Sequence, residues 1–250
     1  MSLSEQFLRT EGAKRDFAST QWSLVLLAGS STNSADSHSA LERLCRAYWH
    51  PIYAYIRRQG YSAEEAADLT QDFFSALLAN HSLARVHPAK GRFRSFLIAC
   101  LKNHLANAWD RAQCLKRGGG STVFSLDQQD AERTLALEQA DPLTPEKVFD
   151  RRWAETLLAL ALDRVREECD GVDKARRFDV LKEFLIQGRG GASFEQAAAT
   201  LGLSVSAVKA QVHRLRERFR DHLRREIAQT VNSPAEVDQE IRELFNAFTN

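Results

Sequence analysis

The segment SFEQAAATLGLSVSAVKAQVHRLRERF, residues 193–219, carries the clearest structural signal in the chain. Ser193 precedes a short helical pattern that stops at Gly202, and Ser204 precedes a second, longer pattern. Serine is favoured directly before a helix, and glycine adopts the left-handed backbone of a tight turn at little cost. The segment therefore predicts a helix-turn-helix, with one helix over residues 194–201 and a second beginning at residue 205.

The second of these helices is amphipathic and has a basic outer face. Its apolar residues recur at steps of three and four, and its polar residues fill the opposite side. In a DNA-binding helix-turn-helix, the start of the second helix enters the major groove while basic residues hold phosphates. A helical hairpin with a solvated basic face is the alternative, but it does not explain why caps, turn glycine and basic helix occur together. We predict DNA contacts from Ser206, Lys209, Gln211, His213, Arg214 and Arg216.

The composition is that of an ordinary globular protein rich in helix-forming residues. The chain has 250 residues, of which 44% are hydrophobic and 27% charged, with few glycines and prolines. Runs of alternating valine, isoleucine and threonine are missing, which favours an all-α fold. No stretch approaches the roughly 18 apolar residues that span a bilayer. The charged N-terminus lacks a signal-peptide core, so we expect a cytoplasmic protein with no membrane partner.

The distribution of charge points to nucleic acid although the net charge is only +1. Residues 90–117 carry seven basic residues and one acidic residue. Residues 118–150 reverse this balance, with seven acidic residues and two basic ones. Residues 205–226 are basic again, with seven basic residues and three acidic. Two basic blocks separated by an acidic spacer suggest two DNA-facing modules on one chain.

The sequence predicts two helical domains joined by an acidic linker. A capping-box pattern at Ser62–Glu65 and the pair Thr144-Pro145 mark two of the helix starts. The tail carries a narrow apolar stripe on an acidic helix, which can fold back on the C-terminal domain, bind a regulator or contact a neighbouring chain; docking on the C-terminal domain is favoured. The predicted boundaries are an N-terminal extension at 1–20, a first domain at 21–117, the linker at 118–144, a second domain at 145–230 and the amphipathic extension at 231–250.

Catalytic and metal-binding patterns are missing from the sequence. The chain has no HExxH motif, no glycine-rich phosphate loop and no nucleophile elbow. Its four cysteines are far apart, which favours free thiols over disulfides or zinc ligands. We therefore expect no enzymatic activity, no cofactor and no metal.

Several segments resemble extracytoplasmic-function sigma factors, a group of sigma-70-type RNA polymerase factors. Residues 194–216 are similar to the helix-turn-helix with which that family reads the −35 promoter element. Residues 55–58, 64–74 and 91–103 are similar to its polymerase-binding and −10-reading domain. The resemblance covers about residues 22–228 and implies a factor that directs core RNA polymerase to promoter DNA. The tail extends beyond the usual end of the family, which suggests a subgroup with a C-terminal extension.

The resemblance implies that the helix predicted to start at the Ser62–Glu65 capping box and to run to about Leu78 binds polymerase. Glu64, Asp68 and Asp72 lie at i, i+4 and i+8 and therefore share one face. An acidic stripe of this kind often contacts only solvent. The resemblance implies instead that it binds a basic surface of the polymerase, and we include Gln71 in the predicted contact. Ala66 and Ala67 stand where family members often carry acidic residues, which leaves the stripe thinly charged.

The helix predicted to follow the loop at Gly91, with apolar positions from Phe93 to Leu105, would read the −10 element. Asn107 departs from the family, which commonly has an acidic residue there. Phe93 and Trp109 can stack on an unpaired base, although a place in the core is the favoured interpretation for such aromatics. The predicted −10 contacts are Arg92, Arg94, Lys102, Asn103, Asn107 and Arg111.

Thr70 is a candidate site of regulation, and one alternative function fits part of the sequence. Thr70 lies within the acidic helix, where a phosphate would add about −1.5 to −2 charge. A Ser/Thr kinase acting there and an anti-sigma factor are the candidate regulators; an ordinary surface threonine is the plainer interpretation of Thr70. The alternative function is a polymerase-independent helix-turn-helix regulator, which leaves the basic block after Lys90 unexplained.

Overall fold

The computed structural model describes residues 35–79, 92–114, 143–169, 171–186, 193–231 and 233–248. Within these ranges the secondary structure is helical and contains no strand, which confirms the all-α prediction. The helices are α1 (Ala35–Arg58), α2 (Ala63–Ala79), α3 (Phe93–Cys114), α4 (Pro145–Glu167), α5 (Val172–Leu181), α6 (Glu183–Ile186), α7 (Phe194–Leu201), α8 (Val205–Ala228) and α9 (Pro234–Asn246).

The described residues form two compact units that divide the chain within α4 and at the end of α8. The N-terminal unit contains the described residues up to Thr156 together with those from Ala228 onward. The helix-turn-helix unit spans Leu157–Ile227. The first unit is thus discontinuous in sequence, and it includes the start of α4 and the whole of α9.

Helix α1 is the centre of the N-terminal unit. Each residue from Ile52 to Ile56 is at most 1% exposed, so this part of α1 is buried on all sides. A helix that is apolar all round belongs in a core, since it has no face for water. Helix α1 packs against α2, and α2 against α3. Phe93 of α3 meets Tyr48 edge to face at 5.3 Å between ring centroids.

The predicted helix starts are present in the N-terminal unit. Ser62 and Glu65 form a reciprocal capping box: the Ser62 N–H donates to Glu65 at 2.8 Å, and the Glu65 N–H donates to Ser62 Oγ at 3.3 Å. At the start of α4, the Lys147 N–H donates to Thr144 Oγ1 at 3.4 Å, with Pro145 in the first turn. Each cap satisfies a backbone donor that the helix itself leaves unpaired.

Helix α9 lies in the N-terminal unit, so the favoured prediction that it docks on the C-terminal domain is wrong. Its apolar stripe is confirmed for Val237, Ile241 and Leu244, which are at most 4% exposed, whereas Phe248, also predicted to belong to the stripe, is 41% exposed. Its acidic side chains explain the choice of unit, because Glu240 and Glu243 pair with basic residues at the start of α3. Opposite charge therefore selected a surface that the apolar stripe alone did not specify.

The helix-turn-helix unit has its own core, contributed by α4 through α8. Val165, Phe178 and Leu181 pack with Val208, Val212 and Leu215 of α8. The sequence predicts one helix over residues 175–187, but the chain forms α5 and α6 with a break at Lys182.

No helix in the described ranges is long and apolar enough to cross a membrane. The predicted N-terminal extension and nearly all of the acidic linker lie outside the described residues.

Candidate nucleic-acid interface

The turn between α7 and α8 has the local geometry that the sequence predicts. Ser193 Oγ accepts hydrogen bonds from the N–H groups of Glu195 and Gln196 at 3.2 and 3.4 Å. Gly202 has φ +64° and ends α7 in the left-handed conformation. Ser204 Oγ accepts from the Ala207 N–H at 3.2 Å and so caps α8. These contacts fix where α8 begins and therefore which of its side chains face solvent.

Helix α8 buries one stripe and exposes the predicted DNA contacts on either side of it. Val208, Val212 and Leu215 are at most 7% exposed. Five of the six predicted contacts are exposed, and Gln211 is half-buried. Successive residues of a helix are roughly 100° apart around its axis, so the predicted contacts fall on two flanks of the stripe. One flank carries Ser206, Lys209, His213 and Arg216, and the other carries Gln211 and Arg214.

Three of the exposed residues on the first flank make contacts within their own unit. Lys209 Nζ lies 5.5 Å from the centre of the Phe194 ring, a cation–π distance. His213 Nδ1 lies 3.5 Å from Glu217 Oε2. Arg216 donates to the Phe184 carbonyl at 3.0 Å and so ties α8 to α6. Arg216 therefore helps to hold the unit together as well as presenting charge.

The second flank borders a basic groove that sequence reasoning missed. The groove encloses about 230 Å³ and lies between α5 and α8. Its floor is apolar and its rim carries four basic side chains, two from each helix. The pair on α5 is visible in the sequence as a short basic run, but only the packing of α5 against α8 joins it to the predicted surface. The rim residues are Lys174, Arg177, Arg214 and Arg218.

The predicted polymerase-binding stripe of α2 is exposed. Glu64, Asp68, Gln71 and Asp72 all face solvent on this helix. Thr70 points the other way: it is 0% exposed and its hydroxyl donates to the Ala66 carbonyl at 2.6 Å. The interpretation of Thr70 as a surface threonine is therefore wrong, because position 70 falls on the buried face of α2.

Helix α3 presents part of the predicted −10 surface. Lys102, Asn103 and Asn107 are exposed, and Trp109 is 58% exposed beside them. Phe93 is 0% exposed, so it belongs to the core and the preference for core packing is confirmed for this residue. Trp109 does not follow that preference. The side chain of Arg111 lies outside the described residues.

Lys102 is paired with the start of α4. Its Nζ lies 2.8 Å from Glu146 Oε1, and the Tyr55 hydroxyl lies 3.4 Å from the same oxygen. The hydrogen bond from Lys102 lowers the pKa of Glu146 and raises that of Lys102. Arg58 adds a second link to this segment, since its Nε donates to the Leu143 carbonyl at 2.8 Å.

The two arginines at the start of α3 are more enclosed than Lys102, Asn103 and Asn107 of the same predicted surface. Arg94 is 7% exposed, lies 4.5 Å over the ring of Trp153, and donates to Asp150 at 2.6 Å and Glu243 at 2.9 Å. Arg92 pairs with Glu243 and lies 3.3 Å from Glu240. We call this set of two arginines and three carboxylates (Arg92, Arg94, Asp150, Glu240 and Glu243) the arginine–carboxylate cluster.

Burial sets the electrostatics of the arginine–carboxylate cluster. The Glu240 side chain is only 1% exposed, and its oxygens approach the guanidinium groups at 3.3 Å without forming hydrogen bonds. Burial raises the pKa of Glu240, and the nearby arginines offset only part of that rise. The pKa of Asp150 is raised for the same reason. Three carboxylates against two arginines leave an excess of negative charge, which adds to the cost of keeping all three ionised.

Residues 44–114 match the family model of sigma-70 region 2. This interval runs from within α1 to the end of α3, and it includes the exposed stripe of α2 and the exposed polar residues of α3. No curated protein and no solved structure was found to match the chain.

The match supports a role as a sigma factor that binds RNA polymerase in transcription initiation. Sigma-70-type proteins are initiation factors and not enzymes. The matched interval ends before the helix-turn-helix, so the assignment of residues 194–216 depends on their own geometry.

Proposed function

We propose that this protein is a sigma factor of the extracytoplasmic-function type, which brings core RNA polymerase to promoters by contacting both promoter elements. The observation that carries the proposal is the sigma-70 region 2 match at residues 44–114. The capped helix-turn-helix with a basic second helix supplies the second DNA-binding module.

In this proposal the exposed face of α2 binds the polymerase. Glu64, Asp68 and Asp72 form a continuous acidic stripe that faces solvent, as docking on a basic partner surface requires. Gln71 lies beside the stripe and can add a hydrogen bond. The pairing is between surface charges, so each charge contributes modestly and the attraction weakens with salt.

Two helices contact the promoter. Lys102, Asn103 and Asn107 of α3 bind the −10 element, and the exposed ring of Trp109 offers a stacking surface for an unpaired base. Helix α8 binds the −35 element through the exposed residues on its flanks. Carboxamide and cationic side chains of these kinds make the usual contacts to base edges and phosphates.

Kinase control through Thr70 is not part of the proposal. The hydroxyl of Thr70 is buried and hydrogen-bonded to Ala66, so a kinase could reach it only after α2 opened. An anti-sigma factor is a regulator that the exposed face of α2 could accommodate, in competition with polymerase.

The test is transcription in vitro with the full chain, core RNA polymerase and a promoter library. We expect promoter-dependent transcripts, and we expect Asp68→Lys to weaken binding to core by about tenfold at low salt, because it reverses a charge in the stripe. The matched control is Glu42→Lys, which reverses an exposed acid on α1 and should leave binding unchanged. DNA binding without any binding to core would instead favour a polymerase-independent regulator.

A further inference from the structure

We propose that α9 is an intramolecular competitor of promoter DNA, which occupies Arg92 and Arg94 with its carboxylates in the free protein. The inference depends on the proposed function, since it takes these arginines as part of the −10 surface.

The geometry of the cluster is that of a phosphate-binding site filled by carboxylates. Arg92 and Arg94 are two residues apart, and the guanidinium groups of both contact Glu243. Glu240 approaches the same two groups from the preceding turn of α9, at 3.3 Å to each. Arginine binds carboxylate and phosphate through the same planar set of donors, so an acidic helix can take the place of a DNA backbone.

The spacing along α9 matches this role. Glu240 and Glu243 are three residues apart and therefore share one face of the helix. Val237, Ile241 and Leu244 are buried on the adjoining face. The apolar residues hold α9 in place, and the two glutamates are then directed at the arginines. A helix docked only for packing would not need to bury a carboxylate at 1% exposure.

The contact is also suited to reversal. Burial of Glu240, together with the nearby Glu243 and Asp150, costs its ionised form more than the attraction to the arginines returns, as the raised pKa of that carboxyl indicates. Phosphates of DNA can replace the glutamates without a large loss, because they offer the same arginines equivalent acceptors in a less buried setting. When α9 leaves, Arg92 and Arg94 lose their contacts with Glu240 and Glu243 and become available for backbone contacts, although Arg94 still pairs with Asp150 of α4.

The first test compares two variants of the full chain in binding to a fluorescein-labelled single-stranded DNA of mixed sequence. Glu240→Gln/Glu243→Gln removes the charges that face the arginines. Glu236→Gln/Asp238→Asn removes two charges from the same helix outside the cluster and serves as the matched control. We expect the first variant to bind about tenfold more tightly at low salt. Its dependence of log affinity on log salt should steepen by about 1.4, since two further phosphates are neutralised.

The second test needs no substitution and so remains decisive if a variant folds poorly. Amide hydrogen exchange in α9 of the wild-type protein should quicken when saturating DNA is added, because the helix is displaced. Exchange in α9 that stays the same in saturating DNA would overturn the proposal. Equal gains in DNA affinity for the two variants would also overturn it, since a general loss of negative charge would then be sufficient.

The two proposals fail in different ways. If the chain neither binds core polymerase nor supports transcription in any variant, the sigma-factor function is wrong whatever α9 does. If wild type and Glu240→Gln/Glu243→Gln transcribe and bind DNA equally well, the function stands and the competitor role of α9 is wrong.

Discussion

The two basic surfaces of this protein differ in how far their cationic side chains are exposed to solvent. At the start of α3, Arg92 and Arg94 are enclosed by three carboxylates, and Arg94 is 7% exposed. On α8, Lys209 and Arg214 remain exposed to solvent. The two blocks look alike in the sequence, because each carries seven basic residues. Their availability to DNA depends on acidic partners that only the fold brings near.

The comparison is sharpest for the free energy of unfolding of two arginine variants. Arg94→Met should lower it by about 3–5 kcal/mol, since it leaves the buried Glu240 with one arginine instead of two and removes the partner of Asp150. Arg164→Met removes an exposed i, i+3 pair with Glu167 and should cost no more than about 0.5 kcal/mol. Urea unfolding of the full chain measures both. Similar values for the two variants would mean that the arginine–carboxylate cluster is solvated.

A second prediction compares two substitutions at Thr70, on the buried face of α2. Thr70→Asp should lower the free energy of unfolding by at least about 2 kcal/mol, because it places a charge where the side chain has no access to water. Thr70→Val preserves the shape and should cost about 1 kcal/mol, the worth of one hydrogen bond. Thermal unfolding gives both values. A Thr70→Asp protein that is fully stable and binds core polymerase more tightly would restore phosphorylation as a regulator.

The smallest expected effects concern the exposed surface of the helix-turn-helix unit. Arg214→Ala should weaken binding to a −35 duplex by about 1–3 kcal/mol if the guanidinium contacts a base. Lys174→Ala on the groove rim should weaken binding equally for all sequences and reduce the salt slope by about 1, as expected for a phosphate contact. Titrations at several salt concentrations distinguish the two patterns, with Arg164→Ala as the control. An unchanged salt slope in Lys174→Ala would exclude the groove from the interface.

Much of the fold could be predicted from local patterns. The caps at Ser62, Thr144 and Ser204 and the left-handed Gly202 are determined within a few residues, and all four are present. The exposed stripe of α2 follows from helical periodicity in the same way. These features need no knowledge of distant contacts, since each is decided within one or two turns.

Contacts between distant segments could not be predicted. Arg92 and Glu243 are 151 residues apart, and nothing local to either residue specifies the other. For the same reason the docking of α9, the burial of Arg94 and the groove between α5 and α8 were missed. The burial of Thr70 was missed for a related reason. A threonine in an acidic helix suggests exposure to solvent, but position 70 lies on the face of α2 that packs against the core.

Because the N-terminal unit is discontinuous in sequence, its parts are synthesised at different times. Glu243 leaves the ribosome 149 residues after Arg94, which at about 5–20 residues per second is a delay on the order of ten seconds. Throughout that interval α1, α2 and α3 already exist as a chain segment while α9 has not been made. Each newly synthesised molecule therefore passes through a stage in which Arg92 and Arg94 await Glu240 and Glu243, and the synthesis of α9 brings that stage to an end.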